Sequence, residues 1–199
     1  MGKADIVINL DMSDSIHRKH FQHQLRFVQE LIGQFNIHTD KVRIGVMSFA
    51  TYIQPNIYLN DYHSTSDLTN AVGKMSYTGG RTNTDGAIKF TREVMFSDKH
   101  GSRTDVPHIN IIVTDDSLMD WYNTALEASI SRSLGIHVLV VGVGMNVDVS
   151  GLKYLVNREE QDKELLTVDY FSGLNSLRVP LVKAVCEGKT LELYLYMYG

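Results

Sequence analysis

The chain has 199 residues, of which 43% are hydrophobic and 21% are charged, so it can bury one sizeable core and is neither disordered nor collagen-like. Nineteen Lys and Arg against 23 Asp and Glu give a formal net charge of -4, and no basic cluster is visible, which argues against a nucleic-acid partner. The longest apolar runs, 109–113 and 138–143, are far shorter than the roughly 20 residues that cross a bilayer, so no membrane insertion is predicted.

Short apolar runs alternate with amphipathic stretches along the chain. The first strand is predicted at 4–10, and the apolar stripe from Ile16 to Phe35 predicts the helix that follows it. The later predicted elements are, in order, a strand at 42–49, a hairpin partner at 53–59, helices at 66–75 and 85–96, a strand at 108–114, a helix at 122–134, a strand at 137–143, a short helix at 149–156, a charged loop at 158–164, a strand at 165–168 and a last helix at about 171–187.

This order of elements predicts the fold class. Strands that alternate with helices favour an α/β fold with a doubly wound, mostly parallel sheet and helices on both faces, because parallel strands need crossover connections. Ligands of such sheets bind at the carboxyl ends of the strands. We expect one domain over residues 4–187, followed by a tail at 188–199 whose alternating pattern is assigned no function.

Oxygen-bearing side chains gather where predicted strands end. The first loop carries Asp11, Ser13 and Ser15 at alternate positions, a second loop at 79–84 precedes a helix, and a third at 114–116 follows a very apolar strand. Carboxylates and hydroxyls in this arrangement suit a hard divalent cation such as Mg2+. Each loop taken alone also fits a helix N-cap or an ordinary turn, whereas the three together at strand ends favour a metal site.

These residues resemble the metal-ion-dependent adhesion site of von Willebrand factor type A domains. The resemblance covers roughly residues 4–186 and implies that family's Rossmann-like fold. Carried over by position, it implies a metal held by Asp11, Ser13, Ser15, Thr82 and Asp115, all of which are present. It also implies Mg2+, or Mn2+ or Ca2+, with one coordination position left for an acidic group of a partner.

Two features set the chain apart within that family. Asp14 stands where a small residue is frequent and Asp116 where glycine is usual, so both are expected at the rim of the site. The short path from Gly144 to Val149 leaves no room for the extra helix of collagen-binding integrin domains. The chain is therefore more similar to the A domains of matrix proteins such as matrilins, collagen VI and shell or byssal proteins.

Compartment follows from that similarity rather than from composition. A single cysteine, Cys186, fits either a cytosolic protein or a piece of a secreted one, and it stands where matrix A domains carry a C-terminal flanking cysteine. The residues from Met1 to Asp5 lack the pattern of a signal peptide. The resemblance implies a secreted protein of the extracellular matrix.

Three further residues are candidates for the partner-binding rim, together with Asp14 and Asp116. Arg81 would either reach an acidic partner or pair with one of these aspartates. Trp121 and Tyr122 would either form an aromatic wall beside the metal or pack in the core.

Two weaker patterns are interpreted structurally. His17, His20 and His23 recur every third residue, which places the outer two some 120° apart around a helix, so a shared zinc ion is not expected. The glycines at 142 and 144 lack the third glycine of a dinucleotide motif and are interpreted as a strand end.

The sequence thus favours a non-enzymatic, cation-dependent adhesion module. Its expected partner is an extracellular matrix protein such as collagen, a polysaccharide or a mineral surface. The rival interpretation is an Mg2+-dependent phosphoryl-transfer enzyme with Asp11 as nucleophile and Asp115 on the metal, although Ser13 stands where such enzymes carry a second acid. A third is an intracellular scaffold domain without a ligand of its own.

Overall fold

A computed structural model describes residues 2–115 and 120–186. Within these residues, six strands form one sheet in the order β3-β2-β1-β4-β5-β6, and every neighbouring pair is parallel except β2 and β3. The strands are β1 (Ala4–Asp11), β2 (Val42–Phe49), β3 (Ile53–Ile57), β4 (His108–Thr114), β5 (Ile136–Val143) and β6 (Leu165–Val168). The predicted α/β fold with a mostly parallel sheet is confirmed.

The helices alternate with these strands. They are α1 (Arg18–Ile32), α2 (Thr65–Gly73), α3 (Thr84–Phe90), α4 (Trp121–Ser133), α5 (Val149–Leu152), α6 (Gln161–Glu164) and α7 at 178–186. A π-helical turn, Thr91–Met95, extends α3, and single 3-10 segments lie at Asp98–His100, Arg158–Glu160 and Phe171–Leu177. The tail at 188–199 lies outside the described residues.

Two predictions near the C-terminal part of the chain were wrong in detail. The charged segment 158–164 is not a loop but a 3-10 turn followed by α6, and the Glu164 carboxylate accepts a hydrogen bond from the Asn157 amide at 2.7 Å. Charged residues are good helix formers, but this segment lacks the apolar spacing that reveals a helix in sequence. The helix predicted at 149–156 ends at Leu152, after which tight turns bury Leu155.

Side chains of alternate strand residues separate the core into two layers. In β1, Ile6, Ile8 and Leu10 face α1, α2 and the C-terminal helical segments, whereas Val7 faces α3, α4 and α5. All eight residues of β1 are buried because both faces of the sheet are covered, and its polar residues Asp5, Asn9 and Asp11 are buried as well. None of the described helices is both long and apolar enough to cross a membrane.

A buried ion pair lies at the amino-terminal end of β1, at the opposite end of the sheet from the carboxyl ends of the parallel strands. Asp5 in β1 is fully buried, and the Arg103 guanidinium donates to its Oδ1 from Nη2 at 2.6 Å and from Nε at 3.0 Å. The Arg103 amide donates to Asp5 Oδ2 at 2.7 Å. The Arg103 guanidinium also donates to the carbonyls of Ala4 and Lys41, so it joins β1 to the start of β2.

Candidate metal centre

Asp11, the last residue of β1, lies at the bottom of the site. Its side chain is fully buried, with Oδ1 accepting a hydrogen bond from the Ser13 amide at 2.8 Å and Oδ2 accepting one from the Thr114 hydroxyl at 2.7 Å. Thr114 ends the neighbouring strand β4, so parallel pairing of β1 and β4 places these side chains together. No positively charged side chain is among the described hydrogen-bond or ion-pair partners of the Asp11 carboxylate.

Three more of the predicted ligands extend from Asp11 toward the surface. The hydroxyls of Ser13 and Ser15 are 2.9 Å apart, and the Ser15 hydroxyl donates to Asp115 Oδ1 at 2.7 Å. Ser13 is buried, Asp115 is half-buried and Ser15 is exposed. The structure therefore brings Asp11, Ser13, Ser15 and Asp115 into one hydrogen-bonded cluster that opens to solvent on one side.

The loop that carries Thr82 is fixed to the first loop by its backbone. Asp14 donates from its amide to the Gly80 carbonyl at 2.8 Å, and its Oδ1 accepts from the Gly80 amide at 2.8 Å. Arg81 donates from its amide to the Thr51 hydroxyl at 2.8 Å. Thr82 itself is half-buried and makes no hydrogen bond with the other four predicted ligands in the described part of the chain.

Burial dominates the electrostatics of the cluster. It raises the pKa of Asp11 from 3.8 to about 7, with repulsion from the Asp115 carboxylate as a further raising cause, against hydrogen bonds from Ser13 and Thr114 that lower it. Burial also raises the pKa of Asp115. Two neighbouring carboxylates without a cation lower the stability of the folded protein at neutral pH, because they repel each other and are partly removed from water. A divalent ion would neutralise both. This donor set of carboxylates and hydroxyls fits Mg2+, Mn2+ or Ca2+.

The sequence analysis assigned no role to two residues that hold Asp11 in place. One is Thr114, predicted only as the first residue of the third loop, whose hydroxyl donates to Asp11 Oδ2. The other is Gln24 of α1, which is fully buried and donates from Nε2 to the Asp11 carbonyl at 3.0 Å. The signal was a polar residue within the apolar stripe of α1, next to Phe21 and Leu25.

The rim candidates have different surroundings. Trp121 and Tyr122 are 55% and 64% exposed, so the alternative that they pack in the core is wrong. Their rings contact each other, and Trp121 also contacts Tyr154. Arg81 is exposed, and Asp14 is bound to Gly80 rather than to Arg81. Asp116 lies outside the described residues.

Packing contacts surround Gly142 and the histidines at the start of α1. His20 stacks on Phe171 with ring centroids 4.5 Å apart and meets His17 edge-on at 5.9 Å. Within the described ranges, no group of three or more His, Cys, Asp or Glu side chains is arranged to hold a metal ion. Gly142 lies in β5, where an added Cβ would be 2.8 Å from the side chain of Leu152.

We expect Gly79→Ala to lower the free energy of unfolding by about 1–2 kcal/mol. Gly79 has φ of +74°, and an added Cβ would lie 2.6 Å from Asp14 Oδ1, the atom that holds the second loop. Urea denaturation measures the change. Gly33→Ala is the matched control, because Gly33 has φ of -61° and its added Cβ meets nothing closer than 3.4 Å. An equal loss in both variants would contradict this account.

Comparison with known proteins points to one family. The sequence matches the family described as von Willebrand factor type A domain over residues 5–178. The mouse collagen alpha-4(VI) chain is 32% identical over 97% of this chain, and mouse matrilin-1 is 26% identical over 92% of it. This chain spans 8% and 36% of the lengths of those two relatives.

A solved structure from a matrix material is similar in three dimensions. Proximal thread matrix protein 1 from the mussel byssus, with zinc in its MIDAS motif, has a TM-score of 0.86 and 25% sequence identity. The match covers 93% of this chain and 48% of that one. MIDAS abbreviates the metal-ion-dependent adhesion site, so the similar protein holds a divalent ion in the motif that this sequence resembles.

Proposed function

Because the chain belongs to the von Willebrand factor type A family, as its sequence indicates, we propose that it is a divalent-cation-dependent adhesion module of an extracellular matrix protein. In this proposal Asp11, Ser13, Ser15, Thr82 and Asp115 hold Mg2+, and the ion binds an acidic group of the partner. The observation that carries the proposal is the hydrogen-bonded cluster that joins four of these residues around a buried carboxylate without a cationic partner.

The charges of the cluster suit an acidic partner. Two carboxylates and one divalent ion make a neutral set, so a third carboxylate can approach the ion without net repulsion. Asp14 is exposed, so solvent screens its charge, and the Gly80 amide holds its Oδ1 on the second loop. A cleft of about 400 Å³ opens beside Ser15 and Asp115, and Lys19, His20 and His23 are among its lining residues. Lys19 would attract the rest of an acidic partner, whereas burial lowers the pKa of His20 and Asp169 adds a negative charge to the cleft.

The partner class follows from the relatives and remains part of the proposal. Collagen VI chains and matrilin-1 are matrix proteins, and the mussel protein is a thread matrix protein. We therefore favour a matrix protein such as collagen, with a polysaccharide or a mineral surface as the other candidates. The expected test is adhesion to immobilised collagen in Mg2+, lost in EDTA; equal adhesion in both would contradict metal-dependent binding.

The rival phosphoryl-transfer function is disfavoured by the position of Asp11. A nucleophile must reach its substrate, but this carboxylate is fully buried and both of its oxygens accept hydrogen bonds. We accordingly propose that the chain is not an enzyme. Turnover of a generic aryl phosphate that disappears in Asp11→Asn would reverse this conclusion. A scaffold without a ligand would instead show normal folding and no metal-dependent partner.

We expect Asp11→Ala and Thr82→Ala each to weaken Mg2+ binding by about tenfold to a hundredfold, measured by titration calorimetry. Thr82→Ala is the sharper variant, since Thr82 has no hydrogen bond to the other predicted ligands and its loss should leave the fold intact. Titrations with Mn2+ and Ca2+ rank the cations.

Matched controls for these variants lie in one exposed segment. Thr104→Ala and Asp105→Ala remove the same side chains from exposed positions and should leave Mg2+ affinity unchanged. If both Asp11→Ala and Thr82→Ala keep the affinity of the unmodified chain, the assignment of the metal site is wrong.

A further inference from the structure

A group of exposed aromatic rings lies on one flank of the sheet, at the start of α4 and just after α5. Trp121, Tyr122 and Tyr154 are each more than half exposed, at 55%, 64% and 54%. The Trp121 ring centroid is 5.9 Å from that of Tyr154 and 6.0 Å from that of Tyr122. Large aromatic side chains that meet on a surface without being buried are characteristic of binding sites.

A basic cleft continues from this aromatic group. It has a volume of about 580 Å³, and Tyr154 lines it together with Arg132, Lys153 and Arg158. Its remaining lining residues are apolar or neutral and polar: Ser150, Val156, Asn157 and Gln161. Three cations and no acid therefore face this cleft among its described lining residues.

The acidic side chains of the same segment face a neighbouring cavity, and one of them also interacts with Arg132. Glu159, Glu160 and Glu164 line a neighbouring cavity of about 150 Å³ beside α7, where Glu160 pairs with Lys163 at 2.7 Å. Glu164 also lines a cavity of about 170 Å³ together with Arg132, and the opposite charges of these two residues attract each other. Lys153 and Arg158 are exposed, and within the described residues neither forms an ion pair. The positive charge of the cleft therefore comes mainly from Lys153 and Arg158, in a chain whose net charge is -4.

Arg132 fixes one end of this surface. Its Nη1 donates to the carbonyls of Leu155 and Tyr154, which ties α4 to the segment after α5 and holds the basic cleft beside the aromatic rings. Trp121 and Arg132 are eleven residues apart on α4, or roughly 16 Å along the helix axis. The surface is therefore elongated and suits a linear ligand.

We propose that this surface, made by Trp121, Tyr154, Arg132, Lys153 and Arg158, binds a sulfated polysaccharide. Sulfate groups would pair with the cations of the cleft, where the planar guanidinium of Arg158 can bind two oxygens of one group. The apolar faces of sugar rings would pack on Trp121 and Tyr154, and the neutral polar lining would bind sugar hydroxyls.

The distribution of charge favours this ligand over other polyanions. Nucleic-acid-binding domains present a long basic stripe to the phosphate backbone, which three cations in one cleft of a chain with a net charge of -4 do not provide. An acidic peptide would use the cations but has less need of a pair of exposed rings. The proposal does not depend on the metal site, because none of the five predicted metal ligands contributes to this surface.

Tryptophan fluorescence provides the signal for the test. Trp121 is the single tryptophan of the chain, so tryptophan emission, excited at a wavelength that the ten tyrosines do not absorb, reports on this surface alone. We expect a heparin-derived oligosaccharide, added in EDTA to keep the metal site empty, to shift the tryptophan emission and protect it from acrylamide quenching. The desulfated oligosaccharide should do neither. Unchanged emission with excess heparin oligosaccharide would overturn the proposal.

Variants separate this surface from general electrostatic attraction. We expect Tyr154→Ala, and the pair Lys153→Ala with Arg158→Ala, each to weaken binding by about tenfold. The matched pair Lys74→Ala with Lys99→Ala removes two exposed charges elsewhere and should change affinity less than twofold. Tyr52→Ala removes an exposed ring elsewhere and serves as the aromatic control.

Three outcomes of these experiments would overturn the proposal. Equal losses in the control variants would show that binding is not confined to this surface. Equal binding of the desulfated oligosaccharide would remove the role of the cations. Tighter binding of polyglutamate or of single-stranded DNA, with the same dependence on Tyr154 and Arg158, would assign the surface to a different class of partner.

Discussion

Arg103→Ala is expected to lower the free energy of unfolding by about 3–5 kcal/mol, the cost of leaving one member of a buried ion pair without its partner. Asp5 is fully buried, and backbone and side-chain groups of Arg103 supply its hydrogen bonds at 2.6 to 3.0 Å. The alanine variant keeps the hydrogen bond from the backbone amide to Asp5 but loses the charged guanidinium. It also leaves the carbonyls of Ala4 and Lys41 without this donor.

Urea denaturation in EDTA measures this loss without a contribution from metal. Arg26→Ala is the control, because Arg26 is exposed and its loss should change stability by less than about 0.5 kcal/mol. Adding Asp5→Asn to Arg103→Ala should restore part of the stability, since the unpaired charge is then gone. A loss below about 1 kcal/mol in Arg103→Ala would show that the pair contributes little.

The fold was predictable because its signal is local. Each buried strand is a short apolar run and α1 has a clear apolar stripe, so β1, β4 and α1 were recognised within a few residues of their bounds. The antiparallel position of β3 followed from the short connection at Ala50–Tyr52. The helix α6, which has a weak periodic signal, was not predicted, and the π-helical turn after α3 was predicted only as part of an ordinary helix at 85–96.

Long-range polar contacts explain most of what the sequence did not reveal. Asp5 and Arg103 are 98 residues apart, and neither has a sequence pattern that identifies the other. The buried hydrogen bonds of Asn9 to Thr91 and Asn110 are similar cases, joining β1 to the π-helical turn and to β4. Arg103 and Thr91 lie outside the sheet and reach β1 only through the tertiary fold, so no local sequence pattern predicts these partners.

The candidate site was predictable to the extent that it lies at strand ends. Asp11 and Asp115 follow apolar strands, and parallel pairing of β1 and β4 is enough to bring them together. The positioning roles of Thr114 and Gln24 depend on side-chain directions within the fold. The aromatic and basic surface is formed by α4 together with the segment after α5. It depends on how these two elements pack, so no local sequence pattern predicted it.

The metal-free protein is expected to lose stability as the pH rises through 7. The folded protein retains a proton on Asp11 up to a pKa of about 7, whereas the unfolded chain releases it near the ordinary value of 3.8. The contribution of this group is therefore fully present below about pH 4 and is lost by the time the pH has passed 7. The full difference is on the order of 4 kcal/mol.

A divalent cation should reverse this trend, since it binds the ionised form of the carboxylate. Mg2+ is then expected to stabilise the protein strongly at about pH 8 and little at about pH 5, in urea denaturation with Mg2+ or EDTA. Asp11→Asn is the matched control, because it removes the titrating group and keeps the shape of the side chain. Asp115 and Glu164 also have a raised pKa, and their contributions persist in this control. If the control loses as much stability between these pH values as the unmodified chain, Asp11 is not the group responsible. The negative charge that the cation neutralises would then not be that of Asp11.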